Sequence, residues 1–350
     1  MNFIKTILHS LLLFISNIIN TLKSILFPKQ NLKQINKDLS VFFEDIETEE
    51  MTGKEVNVEG FLGIYNEDEL QKELINYTFG KESIHCGKSF EQILSEKGFQ
   101  DIKIVFDTED FYIHRLQIYN EIVDMQHLLI QLFIRCDNIV SLETNKQHSN
   151  HTFSDELSQG VEFTRKYFRE HFHNKGNLNV TNVEWLRIQD YRQQCENKIL
   201  LPSQLHSGLG LTREVHLCVQ HFSKKQQRDG IINTPEQWHN ACHYLKMNPP
   251  FQFINPVYEG IFLSINDAIK NDIEEKGFVE VVWAITSQCL RRKDNGEKIE
   301  WLKLEQMSPL SDEMNQYFNS KEYKEMVKNN YHPENIYIDW DKYGPCGLNQ

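Results

Sequence analysis

The sequence predicts a mixed α/β (α+β) protein: a largely antiparallel central sheet flanked by helices, led by an amphipathic N-terminal helix. Three observations point there. β-type segments cluster between residues 102 and 135 with short polar turns between them, as antiparallel neighbours do. A strand, glycine turn, helix, strand, helix, strand order runs across residues 183–254. An apolar stripe with helical spacing opens the chain. Composition agrees: of 350 residues, 40% are hydrophobic and 11% aromatic with charge interspersed, enough for one large core or two ordinary ones.

In the opening stripe, Ile4, Leu8, Leu11, Ile15, Ile18, Leu22 and Ile25 recur at alternating intervals of four and three, and Pro28 ends the pattern. Three readings fit it. It is a helix lying in a membrane interface through residues 1–28, a signal or membrane-anchoring segment over 1–27, or a helix docked on protein. The polar residues between Lys5 and Lys23 argue against a simple span, and no small-x-small cleavage site follows. The stripe favours the interfacial reading, hence a cytoplasmic, peripheral membrane protein.

After the charged segment 31–58, helices are expected at Asp68–Tyr77 and Ser89–Lys97, and strands at Ile102–Phe106, Phe111–Tyr119 and His127–Arg135. The polar stretch Glu143–Phe153 reads as an exposed loop or boundary. The predicted parts are therefore 1–30, 31–142 and 154–350, with one continuous domain over the last two as the alternative. A helix over Ser154–Phe172 buries Leu157, Val161, Phe168 and Phe172, with Thr164 in mid-stripe. A strand begins near Asn182, a helix spans Leu211–Lys225, and Gly230–Asn233 is a short strand. Thr234 and Pro235 look like the cap and first turn of a helix reaching Met247. Then come a strand at Phe251–Ile254, a helix at Tyr258–Glu275, an apolar element of either type at Phe278–Leu290, a turn at Asp294-Asn295-Gly296 and helix over Ser311–Asn329.

The net charge is −13, and since residues 1–30 carry Lys5, Lys23 and Lys29 without an acid (+3), the remainder is −16. Such a body repels phosphate backbones, so no nucleic-acid partner is expected. Seven widely spaced cysteines without a Cys-x-x-Cys read as reduced thiols rather than a disulfide framework.

The chemistry-bearing feature is the turn Gln204-Leu205-His206-Ser207-Gly208-Leu209-Gly210 before the Leu211–Lys225 helix. Glycines let the chain turn tightly and let an anion approach backbone N–H groups, which the helix dipole makes positive, while Arg213 in the first helical turn offers charge-assisted bonds. A tight turn that merely caps a helix has the same signature.

Residues of about 100–255 resemble the cofactor-binding core of the GNAT acyltransferases (GCN-related N-acetyltransferases). There a strand leads into a Gln/Arg-x-x-Gly-x-Gly/Ala loop that holds the acyl-CoA pyrophosphate, followed by a helix, a strand and a helix ending in tyrosine. The resemblance implies that Gln204, His206, Ser207, Gly208, Leu209, Gly210 and Arg213 bind acyl-CoA. It implies that Tyr244 protonates the departing thiolate, and that a small amine-bearing substrate accepts the acyl group. Acyl transfer to an amine needs a base, for which Glu184 or Asp190 on or beside the preceding strand is the candidate. The sequence departs from the pattern in three ways. Gln204 stands one residue too far from Gly208, the Asn/Ala positions before Tyr244 are shifted, and helices at 154–172 and 258–275 interrupt the strand order.

Two further readings compete: a non-catalytic α/β binding or scaffold protein, and a metal-binding protein using His239 and His243. Those two histidines stand four apart on one helix face, with His216 or His221 as a third ligand, although no metal is the primary expectation. Cys218 and Cys242 are candidates for a nucleophile, but both sit among apolar neighbours, where thiols are inert.

Overall fold

The computed structural model describes residues 60–62, 65–110, 113–139, 154–172, 178–193 and 199–344. The N-terminal helix and the Glu143–Phe153 loop lie outside them. The described residues form one compact unit.

The helix starts are set by side chains that satisfy otherwise orphaned amides. Asn66 accepts from Asp68 N and Glu69 N at 3.0 and 3.3 Å to open α1 (Glu67–Asn76). Ser89 and Gln92 close a reciprocal capping box on α2 (Phe90–Glu96). Three strands follow: β1 (Ile102–Asp107), β2 (His114–Asn120) and β3 (Leu128–Ile139). They pair antiparallel in chain order, as their short polar connections require. The long helix α3 (Ser154–His171) then delivers the chain to β4 (Leu178–Ile188), which pairs antiparallel with β3.

The next crossover differs in kind. Helix α4 (Thr212–Lys225) carries the chain to β5 (Gly230–Asn233), which lies parallel to β4 over Val180–Val183 only. Helix α5 (Trp238–Leu245) leads to β6 (Gln252–Phe253). Helices α6 (Pro256–Ala268), α7 (Lys270–Lys276) and α8 (Phe278–Thr286) follow, with β7 (Leu290–Arg292) after them. Strand β8 (Gln306–Pro309) inserts between β5 and β6, giving the seven-stranded order β1-β2-β3-β4-β5-β8-β6. Helices α9 (Asp312–Asn319) and α10 (Lys321–Asn329) precede β9 (Ile336–Ile338), which pairs with β7 in a separate ribbon. Since β3 and β4 share a register of ten residue pairs, the parts 31–142 and 154–350 contribute to one sheet.

Both faces of the sheet are buried. Leu116, Ile130, Leu132 and Ile231 pack with residues of α1, α2 and α4 on one face, while Leu178, Val180, Ile232 and Met307 pack with residues of α3, α9 and α10 on the other. A third cluster joins Trp238, Val257, Phe262, Val281 and Ile338. The two-residue edge strand β6 is fixed by buried side chains. Tyr323 Oη donates to Phe253 O at 2.6 Å, Tyr317 Oη donates to Ile254 O at 2.7 Å, and Phe253 N donates to Glu259 Oε2 at 2.7 Å. Thr164, the polar residue in an apolar stripe, has its hydroxyl 2.9 Å from Tyr317 Oη and donates to Gly160 O at 2.8 Å.

Several boundaries differ from the sequence expectation. Strand β4 begins four residues before Asn182, because Leu178 and Val180 pack on the face that Val183 does not. Thr234 and Pro235 do not start a helix: residues 234–237 stay extended or bent, with Pro235 O accepting from Trp301 Nε1 at 3.0 Å. The Tyr258–Glu275 helix is two, broken at the buried Ile269, and Ser311–Asn329 is two, because Ser320 takes extended backbone and caps the second half. The apolar Phe278–Leu290 element is helix α8 running into β7. The Asp294-Asn295-Gly296 turn is present, with Gly296 at φ +70°. The five cysteines of the described residues are free thiols, and among those residues no helix is long and apolar enough to cross a membrane.

Helix α6 crosses α10 at a glycine. A Cβ on Gly260 would stand 2.5 Å from Val327 O, a backbone atom that cannot swing aside. Helix propensity alone would make Gly260→Ala stabilising by about 1 kcal/mol. The contact reverses the sign, and denaturant unfolding should show a loss of about 1–3 kcal/mol. A gain would contradict the packing described.

Candidate functional site

The parallel pairing of β4 and β5 ends at Val183 and Asn233, yet β4 continues to Ile188 against β3 alone. Past that point the two strands are no longer bonded, and a cleft of about 230 Å³ opens between them. One wall is the far half of β4, Val183 to Gln189. The other is formed by Asn233, Pro235, Glu236 and the α5 residues His239, Asn240, His243 and Tyr244. The loop before α4 forms its mouth through Gln204, His206, Gly208, Gly210 and Thr212. This is the carboxyl end of two parallel strands, the place where open α/β sheets hold ligands.

A bulge shapes the β4 wall. Val183 pairs with Ile134 and Trp185 with Phe133, so Glu184 is the extra residue. The extra residue flips the alternation, so that Val183 before it and Leu186 and Ile188 after it all pack on one core. Glu184 Oε1 accepts from Arg135 Nε at 2.5 Å and from Asn182 Nδ2 at 2.9 Å.

The mouth is built from alternation of another kind. Leu209 and Leu211 are buried in the core beneath α4 and pin the loop, while Gly208 and Gly210 face outward. Gly210 has φ +71°, the left-handed region that glycine adopts without strain. A Cβ on Gly208 would make only ordinary contact, and one on Gly210 would meet nothing within 4 Å. Leu211 caps α4 without a side-chain bond. From Gly208 to Glu214, no backbone N–H meets an acceptor among the described residues. Of these residues Gly208, Gly210 and Thr212 line the cleft, and their amides with the positive end of the α4 dipole make an anion-attracting rim.

The structure places Glu184, Gln204, His206, Gly208, Gly210 and Tyr244 around the one cleft. The other candidates face elsewhere. Ser207 holds the loop through its carbonyl, which accepts from Asp190 N at 2.8 Å. Leu209 is core, and Arg213 Nη1 donates to Glu82 O at 3.4 Å. The Asp190 carboxylate accepts from Arg192 Nε at 3.0 Å and from Gln193 Nε2 at 3.3 Å. Burial alone would raise its pKa, but the Arg192 bonds outweigh that and hold it below the usual carboxylate range. Tyr244 packs against Phe251 with the rings tilted, 5.1 Å between ring centres, its hydroxyl meets no hydrogen-bonding group among the described residues, and burial pushes its pKa up to about 12. It is therefore protonated at neutral pH.

Three polar residues at the cleft, and a fourth paired with one of them in the sheet, were not among the sequence candidates for this chemistry or were read differently. Trp185 Nε1, both side-chain atoms of Asn233 and His239 Nδ1 are buried without a hydrogen-bonding partner, as are both amide atoms of Gln306, which pairs with Asn233 in the sheet. An unmet buried polar group costs about 1–3 kcal/mol, so their concentration here is not what stability alone would choose. One signal was available: Asn233 is the polar end of an otherwise apolar strand, Gly-Ile-Ile-Asn.

His239 and His243 share the cleft, but among the described residues no group of three or more His, Cys, Asp or Glu could hold a metal. His221, one proposed third ligand, contacts Glu73 at 3.0 Å. Burial pushes the Cys242 thiol up to about 12 and raises Cys218 as well, so neither is a thiolate at neutral pH.

Burial pushes His216 and His239 down to about 4. Both folded values lie below the unfolded value of about 6.5, so the unfolded chain takes up protons first and acid favours unfolding. The contribution is fully present above about pH 6.5 and is lost as pH falls toward 4, by roughly 3 kcal/mol for each histidine at most. Urea unfolding across that range should show this slope, and His216→Gln with His239→Gln should flatten it. An unchanged slope in the double variant would contradict the assignment.

No family model, curated protein or solved structure matches the chain.

Proposed function

We propose that the protein is an acyl-CoA-dependent acyltransferase that moves an acyl group to an amine. The observation that carries this reading is the cleft opened where β4 and β5 part, with an amide-rich glycine rim on one side and Tyr244 on the other. The GNAT core that the sequence resembles needs that order: strand, glycine loop for the pyrophosphate, helix, strand, and a helix bearing tyrosine. An open cleft beside Tyr244 also favours ligand binding over a purely structural use of the core.

In this reading the amides of Gly208, Gly210 and Thr212 hold the pyrophosphate and the acyl-thioester reaches down the β4 wall. Glu184 takes a proton from the substrate ammonium, directly or through water. The freed amine attacks the thioester carbonyl carbon, a C–N bond forms and the C–S bond breaks. Tyr244 gives its proton to the leaving thiolate and regains one as the new amide nitrogen loses its own. The sum is acyl-CoA plus ammonium giving amide, coenzyme A and one proton. Glu184 lines the cleft and Asp190 does not, so Asp190 supports the loop, through its backbone N–H on Ser207 O, rather than the chemistry.

Coenzyme A should raise Tm, by the equivalent of about 2.7 kcal/mol at one hundred times its Kd. Gly208→Asp has room for its side chain but sets a negative charge among the rim amides, so it should fold normally and lose the shift. Absence of any shift in the wild type at millimolar coenzyme A would overturn the reading.

A further inference from the structure

Among the described residues nine buried side-chain nitrogen and oxygen atoms have no hydrogen-bonding partner. Four of them belong to Trp185, Asn233 and His239, which line the cleft, and two more to Gln306. Asn233 and Gln306 are direct partners in the antiparallel β5–β8 ladder, so their side chains leave the same face about 5 Å apart at Cβ. Their exposures are 3% and 0%, and that of His239 is 3%. Scattered orphans are what imperfect packing leaves. Two carboxamides paired across β5 and β8, one of them on the cleft lining that also carries His239, form a concentrated set of unmet donors and acceptors.

We propose that Asn233, Gln306 and His239 form the acceptor end of the cleft and receive a carboxamide carried by the amine-bearing substrate. None of the three brings a full charge of the kind a carboxylate, phosphate or ammonium would need for burial. Asn233 and Gln306 each offer an N–H₂ and a C=O, and a carboxamide offers the complementary pair in one plane. His239 Nδ1 adds a donor or an acceptor according to its tautomer. The site rejects an amine that lacks the amide by leaving these groups unpaired, which is how buried polar sites achieve discrimination. The inference rests on the acyltransferase reading for its amine, but not for the carboxamide pocket itself.

The test uses the full chain and the variant Asn233→Leu/Gln306→Met, which keeps volume and removes both amides. Groups kept for a ligand are a burden without it, so the variant should have a Tm equal to or above the wild type. Glycinamide, titrated by saturation-transfer NMR, should bind the wild type and bind the variant about tenfold or more weakly, while propylamine should not distinguish them. The coenzyme A shift should be the same in both proteins. A Tm several degrees lower would make the pair structural and overturn the proposal, as would equal glycinamide binding by both proteins or none by the wild type. Loss of the coenzyme A shift in both, with glycinamide binding intact, would fell the acyl-CoA reading alone and leave the carboxamide pocket standing.

Discussion

Four residue pairs, Val180–Val183 against Gly230–Asn233, form the only parallel contact within the described seven-stranded sheet, and the site follows from where that contact stops. Parallel neighbours cannot be joined by a hairpin, so the chain must leave the end of β4, cross over through a helix and return. The crossover helix therefore starts at the carboxyl end of β4, and its unpaired amides gather there. Because β5 ends at Asn233 while β4 runs on to Ile188, the sheet parts beneath those amides and leaves a cleft rather than a filled core. Helix α5 then brings His239 and Tyr244 to the opposite wall.

The rest of the molecule keeps that opening from closing. The Glu184 bulge keeps Leu186 and Ile188 in the core while the β4 edge lines the cleft. Leu209 and Leu211 pin the loop from below, Asp190 N and Ser207 O tie it to the end of β4, and Trp283 Nε1 donates to Leu200 O at 2.8 Å at its far end. Strand β8, wedged between β5 and β6, holds Gln306 against Asn233, and Tyr317, Tyr323 and Glu259 anchor the segment around the edge strand beyond it.

Much of this order was legible in the sequence, for local reasons. Period-two segments joined by short polar turns announced β1 to β3, and the glycine turn before an amphipathic stretch announced α4. What stayed hidden depends on contacts between distant residues. Thr234-Pro235 stays outside the helix, with the Pro235 carbonyl accepting from the Trp301 indole, a contact 66 residues away in sequence. The single long helices expected at 258–275 and 311–329 each contain a break, at the buried Ile269 and at the capping Ser320, that periodicity alone does not reveal. The same holds for the site. Gly208, Gly210, Glu184 and Tyr244 could be picked out by residue type and order. Arg213 is drawn to the Glu82 carbonyl by a loop 131 residues away in sequence, and Gln306 is set beside Asn233 only through strand pairing.

The central claim is that the unpaired amides at the mouth of α4 exist to hold an anionic ligand. Amide hydrogen exchange reads them directly. Without ligand, the Gly208, Gly210 and Thr212 amides should exchange far faster than the interior of α4. Saturating coenzyme A should protect a peptide spanning 206–215 while leaving α10, on the opposite face of the sheet from α4, unchanged. Fast exchange at those three amides that coenzyme A does not slow would contradict the account.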